Sequence, residues 1–192
     1  EFEKALEIYK KWDSKPDWIF NYTELGESYH GTGQFRKEKK LYRKAEHDFP
    51  NDRRLSYNQA ILAFTEEDTV AANRYIKKYI YLCKDQSWSE ARISRNLADV
   101  YSNAGYLNKA VELYRKSLSL ESGISLRPFT LNKLAYLLID KDVNIIEGIQ
   151  LIDKELETNP DSYSSLHTKG WGLYKQGKYE EALKILTGRG LQ

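Results

Sequence analysis

The side chains that could do chemistry are few and scattered. Three histidines, His30, His47 and His167, lie in different parts of the 192-residue chain, and no carboxylate or thiol recurs at a fixed spacing from them. A general acid–base pair or an activated nucleophile needs a partner within hydrogen-bond reach, and the spacing sets up neither. His47 falls at the end of a predicted helix, where an imidazolium suits the carbonyl end of the helix dipole. Cys83 is the single cysteine, which excludes an internal disulfide and a cysteine-based zinc site. Gly31-Thr32-Gly33 suggests a phosphate loop at first sight. Such a loop follows a strand and needs a longer glycine pattern ending in Lys-Ser or Lys-Thr, so that reading is rejected. With no metal-ligand cluster and no cofactor fingerprint, the chain is not expected to be an enzyme. Recognition chemistry remains. Arg92 and Arg95 lie one helical turn apart, and their forked guanidinium donors suit a carboxylate or a peptide carbonyl.

Something must position those arginines, and the pattern around them repeats. Runs of small and large residues recur roughly every 34 to 38 positions: Leu25-Gly26…Tyr29, Gln59-Ala60…Ala63, Leu97-Ala98…Tyr101, Leu134-Ala135…Leu138 and Lys169-Gly170…Leu173, with Ala5…Tyr9 ahead of them. A second small or short slot follows about twelve residues after each, at Glu38, Ala72, Ala110, Gly148 and Ala182. A period of this size marks stacked helical pairs, each burying its apolar face on the next. Over residues 19–52, Tyr22, Leu25, Gly26 and Tyr29 share one helix face. Gly31-Thr32-Gly33 then breaks the helix, and a second helix over about 35–47 turns Leu41, Tyr42 and Ala45 inward before Pro50-Asn51. Residues 91–124 and 163–192 repeat the design, with turns at Asn103-Ala104-Gly105 and Gln176-Gly177-Lys178.

This arrangement resembles the tetratricopeptide repeat, an antiparallel helix pair with small residues where the two helices approach. The resemblance covers nearly the whole chain. It implies an all-α fold, a right-handed superhelix of antiparallel helix pairs running as a single solenoid. A half unit at 1–16 leads full units at about 19–52, 53–86, 91–124, 128–161 and 163–192. Several units depart from the family pattern. The third has Thr65-Glu66-Glu67-Asp68 instead of a glycine turn and Tyr79 in a small slot, Glu38 fills a small slot of the second, and the fifth carries an extra residue near Asp140-Lys141-Asp142. Longer connections sit at 87–90 and 125–127, and Ser87-Trp88-Ser89-Glu90 reads as a capping box. Ala5, Ile8 and Tyr9, with Trp12 in the small slot and Pro16 closing, match only a second helix. Thr187-Gly188-Arg189-Gly190 stops the last helix early, and the chain reads as a piece of a longer protein.

Composition narrows the partner. Thirty basic against twenty-eight acidic side chains leave a net charge of +2, no electrostatic footprint for nucleic acid. Repeats that read RNA base by base need like residues at like positions, and the corresponding positions here vary in type. No run approaches the ~18 apolar residues of a membrane span. Charge is sorted locally: Arg36, Lys37, Lys39, Lys40, Arg43 and Lys44 crowd one helix, whereas acids dominate between Asp140 and Asp161. Two readings stand for the basic cluster, a solvated outer face or a patch for an acidic partner. Neither cytoplasm nor periplasm is indicated.

In the tetratricopeptide family the first helices of the units line a concave groove. Carried onto this chain, the groove positions are Phe20, Thr23, Glu27 and His30, then Arg54, Tyr57, Ile61 and Phe64, then Arg92, Arg95, Asp99 and Ser102. The fifth unit contributes Phe129, Asn132, Tyr136 and Ile139, and the sixth Ser164, His167, Trp171 and Tyr174. A clamp that some members close on the acidic tails of chaperones is matched at Asn58 and Arg92, but Thr23, Glu27 and Asn96 depart from it, so that ligand is not expected. The expected peptide-binding set is Tyr57, Asn58, Ile61, Arg92, Arg95, Asp99, Asn132, Tyr136, His167 and Trp171. Its rings either form a binding surface or pack within the array. The resemblance implies a non-enzymatic scaffold for a protein or peptide; the alternative is a regulatory or sensor segment of a larger signalling or transport protein.

Overall fold

The computed structural model describes residues 2–9, 11, 18–121 and 127–188. The expectations placed on Trp12, Pro16, Ser125, Arg189 and Gly190, and on the side chain of Tyr9, lie outside the described residues. Among those described there are eleven helices in sequential antiparallel pairs and no strand. They divide into two compact units, Glu1–Ser89 and Glu90–Gln192.

The N-terminal unit holds α1 (Phe2–Tyr9), α2 (Ile19–Gly31), α3 (Phe35–Asp48), α4 (Arg53–Thr65) and α5 (Thr69–Asp85). Its core joins Tyr22, Tyr42, Ala45, Leu55 and Leu62, with Ile19, Phe35, Leu41 and Phe49 packed around them. Gly26 is required by the pairing of α2 with α3. A methyl group built there would stand 2.3 Å from the Tyr42 ring, well inside van der Waals contact. α1 takes the place of a second helix and seats Phe2 against Gly31 of α2.

The C-terminal unit holds α6 (Glu90–Asn103), α7 (Leu107–Leu120), α8 (Arg127–Asp140), α9 (Ile145–Thr158), α10 (Tyr163–Lys175) and α11 (Tyr179–Leu186). Ala98, Ala110, Ala135 and Ile152 are fully buried where its helices meet. Gly148 does fill the small slot after the extra residue, since a side chain there would strike Ile139 and the Ala135 carbonyl.

Each helix pair turns through one residue with positive φ. Gly33 (69°), Gly105 (81°) and Gly177 (78°) occupy that place in three pairs, and Glu67 (60°) and Asp142 (53°) occupy it in the two that lack glycine. The left-handed bend therefore survives without the residue that adopts it most easily. Side-chain caps then start the next helix: Asp68 accepts from the Ala71 amide, and Asn144 accepts from the Glu147 amide. The expected capping box at Ser87 is corrected. Ser87 has φ 58° and its amide bonds the Lys84 carbonyl, so it closes α5, and α6 begins only at Glu90.

Candidate functional site

Within each unit the first helices of neighbouring pairs lie side by side, and polar side chains about one repeat apart stitch them together. In the N-terminal unit Asn58 donates to Glu27 Oε1 at 3.1 Å. In the C-terminal unit Lys133 pairs with Asp99 at 2.8 Å, Arg95 donates to Thr130 Oγ1 at 3.4 Å, and Thr168 donates to Asn132 Oδ1 at 3.4 Å. Asp99 also accepts from the Tyr114 hydroxyl. These bonds hold like positions of successive units on one face.

The ten residues expected to bind a ligand separate by depth. Asn58, Ile61 and Arg95 are buried, with 5%, 8% and 6% of their surface exposed. These three pack within the array and not on its accessible surface. Arg95 extends along α8, stacks on Phe129 at 5.2 Å and faces the buried Glu121 carboxylate at 3.5 Å, because a guanidinium leaving water needs a counter-charge. Phe64, Ile139 and Thr23 are buried in the same way. Tyr57 is half-buried against Tyr79, the large residue that took a small slot, with ring centroids 5.9 Å apart. Asp99 and Asn132 are half-buried within the polar stitching just described.

Arg92, Tyr136 and His167 are exposed, and Trp171 is half-exposed. Sequence reasoning placed Tyr174 in the groove but did not foresee what it does there. It stacks nearly parallel on Trp171, at 5.2 Å and 12°, and tilts onto Tyr179 at 5.4 Å. Lys175 lies 6.0 Å over the Trp171 ring. His167 borders a small cavity of about 160 Å³ walled by Tyr163, Leu166, Ile185 and Leu186. The accessible part of the C-terminal unit's first-helix face is therefore an aromatic surface with cations at its edges.

The electrostatics of the N-terminal unit centre on Glu38, which fills a small slot and is buried. His30 Nδ1 lies 2.9 Å from its carboxylate. Burial holds the Glu38 carboxyl above the ordinary range, with the hydrogen bond and charge of His30 pulling it down. Glu27 is raised by burial as well, against the bond from Asn58. The Tyr42 hydroxyl lies near Glu38 and Asn58 without a hydrogen bond of normal geometry, and burial pushes it well above the usual phenol range. His47 pairs with the adjacent Asp48 at 3.0 Å. Among the described residues no three His, Cys, Asp or Glu side chains converge to hold a metal ion, and no helix is long and apolar enough to cross a membrane.

Residues 92–123 match the tetratricopeptide repeat family. Over 138 residues the chain is 28% identical to the signal recognition particle subunit SRP72 of Dictyostelium discoideum. That match takes in 65% of this chain and spans about a fifth of that relative's length, 20%. Among solved structures, nearly identical tetratricopeptide-like repeats of a kinesin light chain from Podospora anserina superpose with a TM-score of 0.56 at 15% identity, over 88% of this chain and 92% of that one. BtubC from P. vanneervenii superposes with a TM-score of 0.52 at 15% identity, over 97% of this chain and 85% of its own. At such identity the two structures speak for the fold alone, and they agree with the helix pairs already described. One unit, residues 92–123, is thus matched by the tetratricopeptide repeat family, and the chain shares the helix-pair fold of these solved repeats.

Proposed function

We propose that the chain is a non-enzymatic interaction module that holds a peptide or partner segment on its first-helix faces. Repeats of this family generally serve protein–protein interaction. The observation that carries the finer reading is the exposed aromatic row in the C-terminal unit. Phe129, Tyr136 and Tyr174 are each about half exposed on α8 and α10, and Tyr174 stacks on Trp171. Large rings are seldom left in such rows on surfaces that meet only water. They supply much contact area for little conformational entropy, which is what a peptide site needs. Arg92 and Lys175 at the edges offer donors to carbonyls or carboxylates of the bound segment.

A second reading rests on the match to SRP72: the chain is a segment of a larger subunit and binds within a multi-component particle. The first reading places the working surface on the first helices. Selection of peptides from a displayed random library, followed by titration, tests it. Tyr136→Ala and Trp171→Ala should each weaken a selected peptide by about 30-fold, the equivalent of ~2 kcal/mol for a central aromatic anchor. Lys109→Ala and Lys116→Ala, on the outer face of α7, should bind as the parent does. The reverse result would move the site off the first helices.

A further inference from the structure

The outer face of α3 carries a row of exposed cations. Arg36, Lys40 and Arg43 are exposed and follow one another at steps of four and three residues, which sets them in one line over roughly 10 Å. The acids of the same helix are engaged by other partners. Glu38 is buried on His30, Glu46 takes Lys78 and Gln59, and Asp48 takes Tyr22 and His47. Lys39 reaches Glu66, but among the described residues no carboxylate lies within ion-pair distance of Arg36, Lys40 or Arg43. The outer cations of α7 are each answered: Lys109 by Glu112, Arg115 by Glu147 and Lys116 by Glu90. Like charges three and four residues apart oppose helix formation, so α3 carries a repulsion that α7, with its cations spaced otherwise and paired, does not.

We propose that the outer face of α3 binds an acidic peptide segment of a partner protein, at a surface separate from the first-helix faces. Charge complementarity selects the occupant. An extended chain puts alternate side chains about 6.6 Å apart. That matches the ~6 Å rise between Arg36 and Lys40, so carboxylates at alternate positions can meet the row. Each guanidinium can donate two parallel N–H bonds to one carboxylate, with the Lys40 ammonium between them. A single-stranded nucleic acid fits less well. It needs exposed rings on which bases stack, and on α3 Phe35 is half-buried and Tyr42 buried.

The probe is a short fluorescein-labelled peptide alternating Glu and Ser, followed by anisotropy at low ionic strength, with a single-stranded RNA of equal length beside it. Arg36→Gln, Lys40→Gln and Arg43→Gln together should weaken the peptide by about tenfold, the loss of three exposed charge pairs. Lys109→Gln, Arg115→Gln and Lys116→Gln remove the same charge from α7 and should leave affinity within about twofold. The α3 triple variant should melt no lower than the parent, which separates lost binding from lost folding. Equal weakening by the two triple variants, or no binding by the parent, would overturn the proposal. So would tighter binding of the RNA through the same three residues. If Trp171→Ala weakened this acidic peptide as much as the α3 variant did, the ligand would belong to the first-helix face and α3 would have no site.

Discussion

At the scale of single residues, the difference between a binding arginine and a structural one is decided by what surrounds it. Arg95 lies one turn from Arg92, yet it is buried on Glu121 and Phe129 while Arg92 is exposed. Removing it strands a carboxylate that has only 6% of its side chain exposed. Arg95→Ala should therefore lower unfolding stability by about 3 kcal/mol, and Arg92→Ala by less than about 0.5 kcal/mol, as read from urea midpoints. Equal effects would mean that Arg95 is not buried as described. Glu38 is the matching case for acids. Its folded value is raised, so its contribution is present in full below the unfolded value, near 4.5, and is lost as pH rises through the folded one. Glu38→Gln cannot ionise. The variant's stability advantage over the parent should grow as pH rises above 4.5 and then level off. A parent that gained on the variant over that range would show the His30 pair outweighing burial. Arg95 and Glu38 also mark the limit of the sequence. Repeat spacing told which helix face each residue occupies, but depth depends on partners such as Thr130 in the next unit and Glu121 at the end of the same one, whose reach no period encodes.

At the scale of elements, the helix pairs were legible because small residues recur where backbones must approach. Ala98 is fully buried at such a place. Ala98→Leu should destabilise by roughly 1–3 kcal/mol through overpacking, and a variant melting like the parent would refute the register of the fourth unit. The turns were less legible. Thr65-Glu66-Glu67-Asp68 lacks the expected glycine, yet Glu67 takes the left-handed conformation that Gly33 takes one pair earlier. A side chain at that φ is strained, so Glu67→Gly should stabilise by up to about 1 kcal/mol. Gly105→Ala, the reverse change at the same place in α6–α7, should destabilise by a similar amount. Thermal melts of both variants check the pair of signs. The Ser87 capping box failed for a related reason: the motif fits several starts, and α5 ran on through Asp85 until a left-handed Ser87 ended it.

At the scale of the whole molecule, a net charge of +2 conceals two arrangements of opposite sign. On α3 Arg36, Lys40 and Arg43 repel one another with no carboxylate in ion-pair distance among the described residues, whereas on α7 Lys109, Arg115 and Lys116 each have one. Salt acts on these in opposite directions. Raising ionic strength shortens the screening length from about 30 Å at 0.01 M to about 3 Å at 1 M, which relieves repulsion and weakens attraction alike. Each exposed pair is worth a few tenths of a kcal/mol, so the two like-charge pairs on α3 and the three ion pairs of α7 each come to no more than about 1 kcal/mol, with opposite signs. The melting temperature of the whole chain should therefore move little between low and high sodium chloride. Amide hydrogen exchange resolves what the melt averages. Protection in α3 should rise with salt, and protection in α7 should fall. Parallel changes in both helices would mean that the charge sorting on α3 has no energetic consequence. The case for an acidic partner on that face would then lose its physical basis, while the first-helix surface would stand untouched.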